Sequence, residues 1–299
     1  DMECVVVFTR RDPRALTTLG APAAHVDEMP DYVGKVDVVL NCGGSATDLG
    51  TQGPEVAKLF NTVDSFDNHK KIPEHFDAVG AAAREAGTLA LISAGWDPGL
   101  FSILRVLGEA VLPTGSTTTF WGPGVSQGHS DAIRRIEGVA DAKQYTVPVE
   151  ETVQAVKDGR DVELTPRTMH KRECYVVAEE GADLARIERD IVQMPNYFAD
   201  YDTTVSFISA EELARDHAGI PHGGQVIRAG KTDDDVDAAI TYQLQLGSNP
   251  EFTGSVLVAA GRAVARMAER GQTGAVTLFD VTLTDLSPAS ASDLRKNYL

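Results

Sequence analysis

The run Leu89-Ala90-Leu91-Ile92, closed by Ser93-Ala94-Gly95, decides how the first third of this chain is read. Four consecutive apolar residues with no polar alternation describe a strand covered on both faces, as in parallel sheets. Upstream, Ile72 to Ala86 carries Phe76, Val79 and Ala83 at helical spacing, with Pro73 near its start and Gly87 just past its end. A helix therefore delivers the chain to that strand. Thr62-Val63-Asp64-Ser65-Phe66 is a weaker strand before it, and a helix opens near Gly53-Pro54 with Val56, Leu59 and Phe60 turned inward. Val36 to Leu40 and Met2 to Phe8 are two further apolar runs, each ending in polar residues. Apolar strands separated by helices predict a parallel sheet with helices on both faces.

After Phe101 the rhythm changes. A helix through Ile103, Leu104, Leu107 and Val111 stops at Pro113, and strand-like stretches follow at 117–121, 144–149, 174–178, 203–208, 225–228 and 241–246. One clear helix, Ala182 to Met194, sits among them, so an α+β domain on a mixed sheet is expected. A long helix from Phe252 to Arg270 and the strand Ala275 to Val281 then return to the first domain. The expected boundaries are 1–96, 97–249 and 250–299.

Composition narrows the partners. With 44 acidic and 27 basic residues the net charge is −17, a field that repels phosphate backbones and anionic lipid. Neither nucleic acid nor a membrane is an expected partner. Apolar runs such as Cys4 to Phe8 fall far short of the ~20 residues that span a bilayer. The three cysteines, Cys4, Cys42 and Cys174, are dispersed and form no CxxC pair, which suits reduced thiols in a cytoplasm. Two of them lie in apolar strand patterns, where cysteine is usually a small hydrophobe. The seven histidines show no metal-ligand spacing, so no metal is expected.

Several polar segments sit where strands end. Arginines in Thr9-Arg10-Arg11, after the first strand, suit bidentate bonds to a ribose 2′-phosphate, and serve equally as solvated residues after a strand. Trp96-Asp97-Pro98-Gly99 follows the Leu89 strand. Asp97 there is either the N-cap of a helix with Pro98 at its first position, or a ligand at the carboxyl end of a parallel strand. Asp67, in Ser65-Phe66-Asp67-Asn68-His69, adds a second acid to that rim or merely makes a turn. Two acids on one rim suit a cationic amine.

Phe120 to Gly124 and Ser126 to Asp131 read as a polar, glycine-rich loop, either a nest for a carboxylate or plain flexible chain. His170-Lys171-Arg172 and Pro221-His222-Gly223-Gly224 bring cations into an acidic chain. The former is a solvated face or, through the planar fork of Arg172, a carboxylate grip. No GxGxxG occurs, and neither Gly43-Gly44 nor Gly223-Gly224 has the spacing. The chain is either a fragment lacking the opening strand, turn and helix of a dinucleotide-binding fold, or a fold that never bound a dinucleotide. The polar segments favour the fragment.

The stretches CGGSATD, TVDSFDNH, ISAGWDPGLFSI, TFWGPGVSQGHSDAIRRI, HKREC, MPNYF, IPHGG and SNPEFT, from Cys42 onward and in this order, resemble the meso-diaminopimelate dehydrogenase family. The resemblance covers essentially the whole chain. It implies an α/β fold, a Rossmann-like doubly wound parallel sheet without its first βα unit, joined to an α+β substrate and dimerisation domain. It implies NADP as cofactor, a homodimer, and oxidative deamination of the D-centre of meso-diaminopimelate in lysine biosynthesis. The family's first strand and glycine turn have no counterpart here, so this stretch by itself is expected to be inactive.

The resemblance also implies residue roles. Asp67 and Asp97 hold the reacting amine, Phe101 and Trp121 shape the pocket, and Gln127 and Gly128 meet the nearer carboxylate. Thr146, Arg172, His222 and Asn249 read the distant L-centre. Thr9, Arg10 and Arg11 hold the 2′-phosphate, and Ser45, Ala46 and Thr47 line the ribose and pyrophosphate. Asp67, His69, Trp96, Asp97, Pro98 and Gly99 lie toward the nicotinamide. A proton must leave the ammonium before hydride does. Asp97 is preferred for that task over Asp67, each on condition that partial burial raises its pKa, with His129 as the other candidate. Two other functions stand beside this one: a dihydrodipicolinate reductase-like enzyme, and a non-catalytic dimer that kept only the substrate domain.

Overall fold

Apolar strands and helices alternate along the first part of the chain as their patterning predicts. The computed structural model describes residues 1–234 and 236–299. It opens with β1 (Val7–Thr9), β2 (Ala23–His25), β3 (Val38–Asn41), α1 (Leu49–Ala57), β4 (Asn61–Asp64), α2 (Ile72–Ala86), β5 (Leu89–Leu91) and α3 (Leu100–Val111). Then follow β6 (Gly115–Trp121), β7 (Gly124–Val125), α4 (Gln127–Arg134), β8 (Val139–Pro148), α5 (Glu150–Lys157), α6 (Pro166–Met169), β9 (His170–Ala178) and α7 (Leu184–Val192). The remainder is β10 (Asp202–Phe207), α8 (Ala210–Asp216), β11 (His222–Asp233), β12 (Val236–Leu246), α9 (Asn249–Glu269), β13 (Gly274–Val276), α10 (Leu283–Leu286) and α11 (Ala291–Tyr298). These elements form two units, residues 1–103 with 251–299, and residues 104–250.

In the first unit β13, β5, β4 and β3 lie in that order, all parallel. Leu89 and Leu91 face α9, packing with Val256, Leu257, Ala260, Val264 and Met267. Ala90 and Ile92 face the other way, against Ala57, Val79, Ala82 and Ala83. The sheet is thus covered on both faces, which is why its strands show no polar alternation. Gly87 ends α2 at φ 73°, its N–H reaching the carbonyls of Ala83 and Arg84, where a side chain would be strained.

Some boundaries differ from expectation. The first strand is Val7–Thr9, because only those residues find a partner, the short β2 that carries too little apolar pattern to be seen in sequence. Met2, Cys4 and Val5 precede it and are exposed. Helix α1 opens at Leu49, with Pro54 inside it. Strand β13 stops at Val276, since the Thr277 hydroxyl accepts from Phe279 N–H and turns the chain.

The second unit holds a mixed four-stranded sheet, β10-β9-β8-β7, and an antiparallel three-stranded one, β12-β11-β6. Ile133, Ile187, Ile191 and Phe198 pack on Ala142, Cys174 and Val176 of the first sheet. Phe120 and Ile227 pack on Val153 and Val156 beside the second. Helix α7 was legible; α4, α5, α6 and α8 were not. They span four to eight residues, too short for a helical period to stand out. The expected glycine-rich loop is in fact β7 followed by α4. Burial makes Cys174 a core residue and pushes its thiol up to about 12. No helix among the described residues is long and apolar enough to cross a membrane.

Candidate functional site

In the first unit the predicted residues other than Phe101, which lies in α3, sit at the carboxyl ends of parallel strands or in segments that follow them, where open α/β sheets bind ligands. Thr9 ends β1 and Arg10 and Arg11 follow it, with Arg11 N–H donating to the Thr9 hydroxyl at 3.1 Å. Ser45, Ala46 and Thr47 form the turn after β3. Asp48, which sequence reasoning missed, joins these two segments. Its carboxylate accepts from Gly44 N–H and the Thr47 hydroxyl, each at 3.1 Å, and lies 2.8 Å from Arg10 Nη1. The Gly44 bond first, and Arg10 second, hold Asp48 below the usual carboxylate range.

The Ser45 hydroxyl in turn accepts from Asp67 N–H at 3.0 Å, tying the turn after β3 to the loop after β4. Asp67 is exposed there, and His69, also exposed, lies two residues on in a 3-10 turn. The loop after β5 carries Trp96, Asp97, Pro98 and Gly99. Helix α3 begins at Leu100, so Asp97 lies two positions before the N-cap and the capping explanation fails. Gly99, at φ 127°, has no room for a side chain, since a Cβ would lie 2.0 Å from the Gly95 carbonyl oxygen. Phe101 is buried with its ring edge-on to Trp96 at 5.4 Å.

In the second unit Arg172 and Thr146 meet. Arg172 stands opposite Thr146 across β9 and β8, donates through Nη1 to the Thr146 hydroxyl, and stacks over the Tyr201 ring at 3.9 Å. Far from forming a solvated face, His170 and Arg172 are buried while Lys171 between them is exposed, because alternate strand residues face opposite ways. The buried Nε of Arg172 and both amide atoms of Gln144 on the same sheet face find no partner among the described residues. Gly124 pairs with Thr146 on one side and approaches His222 so closely that a Cβ would lie 2.5 Å from the His222 Cα.

His222 and Asn249 share one end of this unit. Strand β11 starts at His222, paired with Leu246, and Asn249 N–H donates to the Ile220 carbonyl at 3.1 Å. Gln127 and Gly128 are the first residues of α4, so their free N–H groups arise from a helix terminus rather than a loop nest. Trp121 stacks on His170 with centroids 5.8 Å apart. His129 lies 2.6 Å from the Ser126 hydroxyl and edge-on to Tyr197 and Phe198. Burial chiefly, then the Arg172 charge, pushes His129 down to about 4. Among the described residues no group of three His, Cys, Asp or Glu is placed to hold a metal ion.

Residues 95–248 match the family model of the diaminopimelic acid dehydrogenase C-terminal domain. Over 300 aligned residues the chain is 57% identical to a meso-diaminopimelate D-dehydrogenase of Ureibacillus thermosphaericus, covering 100% of this chain and 92% of that protein. The chain belongs to the meso-diaminopimelate D-dehydrogenase family.

Solved structures agree with that membership. A mutant meso-diaminopimelate dehydrogenase from Clostridium tetani E88, crystallised with DAP, is 49% identical with a TM-score of 0.91, covering 98% of this chain and 91% of that one. An engineered D-amino acid dehydrogenase bound to NADP+ is 43% identical with a TM-score of 0.84, covering 100% and 92%. The parallel sheet and the further α+β sheets are those of the meso-diaminopimelate D-dehydrogenase fold. Sequence reasoning missed Asp48, Asp64, His75, Gln144 and Tyr201. A charged residue ending an apolar strand, as at Asp64, was the one available signal.

Proposed function

We propose that this chain catalyses the reversible, NADP-linked oxidative deamination of the D-centre of meso-2,6-diaminopimelate. Hydride leaves the D-carbon, the resulting imine is hydrolysed to L-2-amino-6-oxopimelate, and ammonium is released. The cofactor supplies the hydride acceptor, and the donor set at the rim suits it. Arg10 and Arg11 offer guanidinium forks for a 2′-phosphate, and the turn of Ser45, Ala46 and Thr47 offers hydroxyl and backbone donors.

On the substrate side Asp67 and Asp97 hold the reacting ammonium, with Phe101 and Trp121 as apolar walls. The first N–H groups of α4, at Gln127 and Gly128, receive the nearer carboxylate. Thr146, Arg172, His222 and Asn249 receive the L-centre. The observation that carries this assignment is Arg172: buried, fixed by Thr146 and Tyr201, and with its Nε still without a partner. A further support comes from the Clostridium tetani mutant. The residue types replaced there, Gln, Thr, Arg, Pro, His and Asn, recur here in the same order and spacing as Gln127, Thr146, Arg172, Pro221, His222 and Asn249.

Asp97, beside the nicotinamide position, takes the proton from the ammonium. The choice of Asp97 over His129, whose pKa burial pushes down to about 4, rests on its position in the loop after β5. We further propose a cytoplasmic homodimer. Three free cysteines suit a reducing compartment. The edge strand β12 leaves Ile240, Tyr242 and Leu244 half-buried between exposed neighbours, as an interface in waiting. The test is NADP+ reduction by full-length protein. Turnover with the meso isomer but not the L,L isomer is expected, and no turnover with the meso isomer overturns the proposal.

A further inference from the structure

Beneath the rim lies a buried polar pair to which none of these roles refers. Asp64, the last residue of β4, and His75, in α2, are both almost fully buried, with Asp64 Oδ2 2.7 Å from His75 Nε2. The imidazole stacks on Phe66 at 4.1 Å and leaves no room for a side chain at Gly53, where a Cβ would lie 2.8 Å from its Cε1. The ring is therefore clamped between α1 and the loop after β4. Burying a carboxyl group is costly, and an apolar pair of similar volume fills such a space as well or better. What an apolar pair cannot do is accept hydrogen bonds.

The remaining oxygen, Asp64 Oδ1, accepts two. Phe66 N–H donates to it at 3.0 Å and Ser93 N–H at 2.9 Å. Phe66 immediately precedes Asp67. Ser93 opens the loop that carries Asp97, and its φ of 57° is a left-handed conformation that a non-glycine residue keeps only when held there. The Asp64 carbonyl fixes the next residue too, accepting from Ala94 N–H at 2.8 Å. Backbone bonds from Leu100 to Gly95 and from Phe101 to Trp96 then carry the constraint through the loop.

We propose that Asp64, locked in place by His75, is a positioning residue that sets where Asp67 and Asp97 stand relative to each other. The inference rests on the assignment of those two acids to the reacting amine. A displacement of about 1 Å in such a pair is enough to cost roughly 100-fold in rate.

The test uses full-length enzyme at temperatures well below each variant's own Tm. Asp64→Ala should lower kcat with meso-diaminopimelate by about 30-fold or more while the Kd for NADP+ stays within about twofold. Asp64→Asn keeps an acceptor oxygen for both N–H groups and should recover most of that loss. A pair that only stabilises the fold lowers Tm but leaves kcat of the folded enzyme at the parental value, and that result overturns the proposal. Should Asp64→Ala fail to fold, His75→Phe keeps the ring stacked on Phe66 and removes only the lock. A fall of about tenfold in kcat supports the proposal, and parental kcat overturns it. Amide hydrogen exchange at Phe66 and Ser93 separates this inference from the functional one. Protection lost in Asp64→Ala and retained in Asp64→Asn supports it even if the parent does not turn over meso-diaminopimelate. Unchanged protection in Asp64→Ala refutes it.

Discussion

The backbone N–H of Trp121 donates to His170 Nε2 across 3.0 Å, beneath the stacked rings of the same two residues. The bond needs that nitrogen unprotonated. Burial first, and the charge of Arg172 second, push His170 from the usual 6.5 down to about 4. The unfolded chain thus takes up the proton at higher pH than the folded one. Stability from His170 is fully present above the unfolded value and is lost as pH falls toward the folded value. His129, pushed down to about 4 by the same causes, acts in the same direction. Denaturant unfolding should show a loss of up to about 3 kcal/mol attributable to His170 over that window. His170→Gln keeps an acceptor without the titration, so its profile should be flatter; an equally steep one rejects this account.

Gly99 should not tolerate alanine. At φ 127° with the Gly95 carbonyl 2.0 Å from a built Cβ, the loop must open for the methyl group to fit. A cost of about 2–4 kcal/mol is expected, together with loss of turnover, because Asp97 lies in that loop. Thermal unfolding of Gly99→Ala within a degree of the parent would show that the loop is softer than its geometry implies.

Arg10 and Arg11 are expected to set cofactor choice. Replacing both by Asp turns two forks for a 2′-phosphate into repulsion and should raise KM for NADP+ by about 100-fold, with KM for NAD+ moved far less. Steady-state kinetics with both cofactors decide the matter. Equal changes with the two would take the arginines out of the phosphate site.

Arg172→Lys keeps the charge but loses the planar fork that lies on Tyr201 and reaches Thr146. KM for meso-diaminopimelate should rise by about 30-fold or more with a smaller change in kcat, since the contact is made far from the reacting carbon. An unchanged KM would place the distal carboxylate elsewhere.

Much of this was legible in the chain itself. Leu89 to Ile92 reads as a doubly covered strand and is one, with alternate residues packed on α9 and on α2. Ile72 to Ala86 shows its helix through apolar spacing and its end through Gly87. The motifs from Cys42 to Thr253 carry the family. Shorter elements escaped because their period is not completed, as in α4, where Gln127 to Arg134 passes for a glycine-rich loop.

Local pattern therefore determined which segments are strands, which loops end them, and which family they belong to. It did so because periodicity and motif are properties of neighbours in sequence. Only the tertiary structure decided what those loops are fastened to: Asp48 to Arg10, Ser45 to Asp67, Asp64 to both Phe66 and Ser93, and Tyr201 beneath Arg172. Most of these partners lie tens of residues apart, so no local spacing announces them. A buried hydrogen bond is chosen by where the folded backbone leaves a donor facing an acceptor away from water, and that exists only once the chain has folded.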